Sequence, residues 1–162
     1  MITIEVKDQE VQEILSQLSG RVKDMSPVMA EIAHALARES ERQFKTESGP
    51  LGKWPDLSEK TTKVFRTRKG TWPGKILQVS AGGLAASVQT SFGAYFASIG
   101  SNKRYAAMHM FGGVTSPKSM IPGMRIPARP FLPFNPQTQE LSSPARATII
   151  ESLNNYLVRR KG

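Results

Sequence analysis

His34 and His109 are the only two histidines in this 162-residue chain, and there is no cysteine. A nucleophilic site needs a His or Lys base held by a third group, and a metal site needs clustered His, Cys, Asp or Glu. His34 lies between Ala33 and Ala35 in a helical stretch and reads as a partly buried or flanking residue. His109 lies in "RYAAMHMFGG", residues 104–113, inside a region without a single acidic residue. No His/Asp/Glu cluster at i, i+4 spacing surrounds either one. Gly82 and Gly83 in "SAGGLAAS" lack the lysine and spacing of a phosphate loop. Glu39 and Glu41 alternate with Arg38 and Arg42, as on a solvated helix face. Without cysteine, disulfides and thiolate metal sites are excluded. The chain is expected to be no enzyme and to need no cofactor or metal.

The charge is more informative. Net charge is +9, yet residues 1–59 hold 7 basic and 11 acidic side chains. Residues 60–139 hold 11 basic and no acidic ones, and residues 140–162 hold 4 and 2. Such an acid-free run faces phosphate, solvent, or the acidic side of a neighbouring copy. Lys60, Lys63, Arg66, Arg68, Lys69 and Lys75 fall within 16 residues, with Phe65 and Trp72 interleaved. Basic groups supply salt-dependent phosphate contact and aromatics can stack on bases, so a nucleic-acid-binding module using residues 60–75 is the alternative reading. These residues match no named recognition motif.

Positioning these groups calls for a set of helices and hairpins. Ile2, Ile4 and Val6 alternate as in a short strand. With Asp8 as cap, Val11, Ile14, Leu15, Leu18 and Val22 mark one helical face, weakened at Gly20. A second helix starts at Ser26 as N-cap with Pro27 at the first position, and carries Val28, Ile32, Leu36 and Phe44 on its apolar stripe. Gly49, Pro50, Gly52 and Pro55 make 46–56 a loop. Ser58 caps a short basic helix to about Arg66, and 66–75 is a second loop. Val88 and Thr90, a Phe92–Gly93 bend, then Tyr95, Ala97 and Ile99 form a hairpin. Lys103 to Phe111 is a short helix, ended by Gly112 and Gly113. Six of the 11 prolines lie in 115–136, which excludes a helix or a central strand there. Ser143 and Pro144 open a final helix faced by Leu141, Ala145, Ile149, Leu153 and Leu157.

The sum is one α+β domain over 1–162: a small antiparallel β-sheet packed with two N-terminal helices and a C-terminal helix. Long extended loops run at about 46–56, 66–75 and 114–125. At this length a domain buries roughly 70% of its unfolded surface. No run approaches 18 apolar residues, so no membrane partner is expected. "MITIEVKDQE" is not read as a signal peptide, and the expected compartment is a reducing cytosol.

Four pieces form a recognisable series: "KWPDLSEKT" (53–61), "ILQVSAGGLAASV" (76–88), "IGSNKRYAAMHMFGG" (99–113) and "IPARPFLPF" (126–134). In this order they resemble the phage virion morphogenesis family, the tail-completion proteins of tailed phages. The turn between Leu77 and Leu84 reads one residue longer than the family pattern. The resemblance implies a non-enzymatic virion protein of the tail and neck, present in the host cytoplasm during assembly. It would complete the head-proximal end of the tail and take part in head–tail joining as a ring, by resemblance a hexamer. Its implied partners are itself, tail-tube and head-connector proteins, and genomic DNA passing transiently through the lumen. The implied assembly motif is Trp54, Leu57, Tyr105, His109, Phe111, Gly112, Gly113, Arg129, Pro130 and Phe131. Within it Tyr105, Ala106, Met108 and Phe111 place apolar groups on a short helix, and His109 in its last turn reads as a partly charged imidazole near its free carbonyls. Phe131 reads as an anchor for its proline-stiffened segment, with Arg129 in a polar contact close by.

Overall fold

In a computed structural model of the chain, the described residues are 9–19, 24–59, 61 and 74–159. The strand expected at 2–6, the basic helix beyond Thr61 and most of the 66–75 loop lie outside them.

Helix α1 (Gln9–Ser19) buries Leu18 completely, and Val11, Ile14 and Leu15 pack beside it. Helix α2 (Ser26–Thr46) is the longest described helix, with 21 residues. Its cap differs from the sequence expectation. Met25 occupies the N-cap position, and the Asp24 carboxylate accepts the Ser26 N–H at 2.9 Å. The carboxylate thereby caps from two residues upstream, and Ser26 becomes the first helical residue. Pro27 sits in the first turn, where its missing N–H costs nothing. Glu47 closes the other end in a left-handed conformation, φ 52°, donating its N–H to Gln43 O.

The expected loop at 46–56 is in part a small hairpin, β1 (Ser48–Gly49) with β2 (Gly52–Lys53). Gly52 supplies the positive φ (93°) that the turn needs, and Trp54 N–H closes the hairpin on Glu47 O at 2.8 Å. A 3₁₀ turn (Ala85–Ser87) leads into β3 (Val88–Phe92), which pairs antiparallel with β4 (Ala97–Ser101). Thr90 lies opposite Ile99 in that ladder. Helix α3 (Ala106–Phe111) begins three residues later than the sequence suggests. Then β5 (Gly113–Val114) pairs with β6 (Arg125–Ile126), and β7 (Phe134–Asn135) pairs with β8 (Glu140–Leu141). Helix α4 (Ser143–Arg159) ends the fold. The α+β class holds, with the strands among the described residues split into four two-stranded ladders in place of one sheet.

Two apolar clusters organise these pieces around α2. Its first half joins Leu18, Met25, Val28, Met29, Ile32 and Leu36 to Ala145, Ile149 and Leu153 of α4. Its last turn contributes Phe44 to a second cluster with Trp54, Leu77, Leu84, Met110, Phe131 and Leu132. Ile99 packs against both, so the β3–β4 hairpin bridges them.

Candidate assembly site

The proline-rich segment after Ile126 would drift over the surface unless something held it, because proline removes the N–H groups that a sheet needs. Buried polar side chains on α2 and just after β2 hold it. Trp54 Nε1 donates to Pro130 O at 2.9 Å, and Ser40 Oγ of α2 donates to Phe131 O at 2.7 Å. The Gln43 amide, in the orientation that its neighbours require, donates to Phe131 O at 2.9 Å and Leu132 O at 3.2 Å. The Phe131 ring is 0% exposed, its centroid 5.6 Å from that of Phe44. Trp54 meets Phe44 edge-on at the same centroid distance. Such packing adds directional preference to the area buried.

Arg129 ties in the loop after Trp54. Its guanidinium is buried, with Nε donating to Pro55 O at 2.8 Å and Nη2 to Asp56 O at 2.9 Å. Burial lowers its pKa, while the Asp56 charge pulls the other way. The Arg129 N–H donates to His109 O at 2.7 Å, fastening the end of α3 to the same segment.

His109 lies in the last turn of α3, but a partly charged imidazole is not what the site holds. Burial first, and then the Arg129 charge, push its pKa below the usual 6.5. Near neutral pH the ring is neutral, packed edge-on against Tyr105 with centroids 5.8 Å apart. Among the described residues its buried Nδ1 finds no hydrogen-bond partner. Ala106 and Met110 are buried, whereas Tyr105 and Phe111 are about half exposed, so these two aromatics do not build the core. A six-residue helix has room for one buried stripe, and Ala106 and Met110, at i, i+4, occupy it.

Gly112 and Gly113 both take positive φ, 71° and 151°. Gly112 is also pressed against the clamp: a Cβ there would lie 2.8 Å from Ala128 N and 3.0 Å from Ile126 O. Trp54, Pro130, Phe131 and Arg129 are thus brought into one joint with His109 O and Gly112, and Leu57 packs at its edge. Ser40, Gln43, Gly49 and Met110 belong to it as well. Lys60, Lys63, Arg66, Arg68 and Lys69 lie outside the described residues, and Lys75 is exposed. His34 is exposed on α2. Among the described residues no group of three or more His, Cys, Asp or Glu could hold a metal ion. No helix among them is long and apolar enough to cross a membrane.

The joint fixes the β1–β2 hairpin, the β5–β6 hairpin, α2 and α3 relative to one another. Residues 6–157 match the phage virion morphogenesis family, and the chain belongs to it. Virion assembly is therefore its class of work. It is 36% identical to the Mu-like prophage FluMu G protein 1 of Haemophilus influenzae, over 70% of each chain. It is 29% identical to FluMu G protein 2 of the same organism over 96% of each. To the "Putative capsid assembly protein G" of Escherichia phage Mu it is 31% identical over 81% of this chain and 82% of the other. No solved structure matches the chain.

Proposed function

We propose that this protein is a structural, non-enzymatic component of a tailed phage that completes the head-proximal end of the tail and takes part in head–tail joining. It acts there as a ring of identical copies, six by the family resemblance, between the tail tube and the head connector, with genomic DNA passing through its lumen. The observation that supports this reading best is the clamp around Pro130 and Phe131. It buries Trp54, Arg129, Pro130 and Phe131 in one hub, beside which the β5–β6 hairpin carries exposed side chains. A neck joint needs such a hub, because arms that start from a fixed base lose less entropy on docking. The relative in phage Mu carries a name that refers to capsid assembly; we place this chain on the tail side of the same junction.

The test is the mass of the purified protein in solution, alone and mixed with tail-tube or connector proteins. Closed rings, formed alone or on a partner, are the expected result. A monomer that ignores every tail and connector protein of its phage would overturn the reading.

A further inference from the structure

The β5–β6 hairpin carries a loop, 115–124, that is internally ordered yet ends in apolar side chains. Thr115 organises it: its N–H donates to Met124 O at 2.9 Å, its carbonyl accepts the Gly123 N–H at 3.1 Å, and its hydroxyl accepts the Met124 N–H at 2.8 Å. The same hydroxyl donates to Ile121 O. Held this way, Met120 is 100% exposed, and Val114, Ile121 and Met124 are exposed beside it. The charges around this tip, Lys118 and Arg125, are both basic.

A cleft of about 300 Å³ opens elsewhere on the subunit, between α1, the turn of the β3–β4 hairpin and β8. Its walls include Val11, Leu15, Tyr95, Ala97 and Leu141, with Gln12 among them. An apolar cavity of about 150 Å³ is already enough for a benzene-sized group. On α1, Glu13 directly follows this stretch, Glu140 adjoins Leu141, and Glu10 pairs with Arg146 at 2.5 Å. The cleft is lined mainly by apolar residues, Glu13 and Glu140 stand next in sequence to lining residues, and Arg146 offsets Glu10, whereas the tip is apolar at its end and basic around it.

We propose that the Met120–Ile121 tip of one copy docks into this cleft of the next copy, giving a head-to-tail contact between identical chains. Two different surfaces are used, so the contact is heterologous and repeats around a ring. The opposite charges set its register and the apolar tip supplies the buried area. The loop is already folded, so docking loses little of its freedom. This inference rests on the ring reading and names its interface.

The absence of native cysteine makes the contact testable by disulfide trapping. Full-length Gln12→Cys and Met120→Cys chains are mixed under mild oxidation, with Lys53→Cys plus Met120→Cys as the control pair. Adduct between positions 12 and 120 should form at least about tenfold faster than in the control, as raised effective concentration at a real contact requires. Met120→Asp in the otherwise native chain should reduce the oligomer fraction while its circular dichroism stays that of the folded native chain. Equal trapping in both pairs, a predominance of 120–120 adducts, or trapping of position 12 by a tail protein in place of a second copy would overturn the proposal. Light scattering on the native chain separates the two failures. Oligomers without selective trapping sink the docking contact alone, and a chain that forms no oligomer, alone or on its partners, sinks the ring as well.

Discussion

Trp54 Nε1 donates a 2.9 Å hydrogen bond to the carbonyl of Pro130, across 76 residues of chain. The same carbonyl fixes Gly49, because a Cβ at that position would stand 2.3 Å from the oxygen. A tryptophan and a glycine five residues apart thus grip one point of a proline-rich segment that cannot hold itself.

Trp54→Phe keeps most of the ring contact with Phe44 and removes the donor. Leaving the Pro130 carbonyl buried without its partner should cost roughly 1–3 kcal/mol in denaturant unfolding. Phe131→Ala should cost more, roughly 3–5 kcal/mol, because that side chain is completely enclosed. An unchanged midpoint in either variant would contradict the clamp.

Gly112→Val should be worse than His109→Gln for both stability and virion assembly. A β-branched residue resists φ 71°, and its Cβ would meet Ala128 N at 2.8 Å, so strain and overlap act together. Strain at such a position alone is on the order of 1–3 kcal/mol. Comparing soluble yield, melting temperature and plaque-forming titre of the two variants checks the ranking; the opposite order would mean that the imidazole does more than pack.

His109 makes stability depend on pH with a definite sign. Its folded pKa is held below 6.5 by burial and by Arg129, so the unfolded chain takes up the proton first. Its contribution is fully present above that value, and it falls as pH drops through the interval from 6.5 down to the lowered folded pKa. Melting curves taken across that window should therefore show a steeper acid loss for the native chain than for His109→Gln. Parallel curves would show that the ring titrates as freely in the fold as out of it.

Periodicity made the helices and the β3–β4 hairpin legible, because a 3.6-residue or two-residue repeat is written locally. Leu36, Ser40, Gln43 and Phe44 share one face of α2, and the same period that marks Leu36 and Phe44 as core also marks the two polar residues. They escape a reading that follows apolar residues alone, since their burial depends on carbonyls more than 80 residues away. Phe131 and Arg129 could be singled out by type and by the proline spacing, but their partners could not, because Pro55 and Asp56 meet Arg129 only through the fold. Tyr105 and Phe111 show the converse: apolar type alone does not say which side of a short helix is buried, and both are about half exposed. The α2 cap shifted because Asp24, a better-placed acceptor, stands two residues ahead of Ser26.

Electron microscopy of lysates from a phage or prophage carrying a nonsense mutation in this gene tests the tail-completion role most directly. The account predicts DNA-filled heads beside separate tails, and infectious particles recovered when the purified native protein is added to the lysate. Absent or empty heads with normal tails, or intact virions made without the protein, would contradict it.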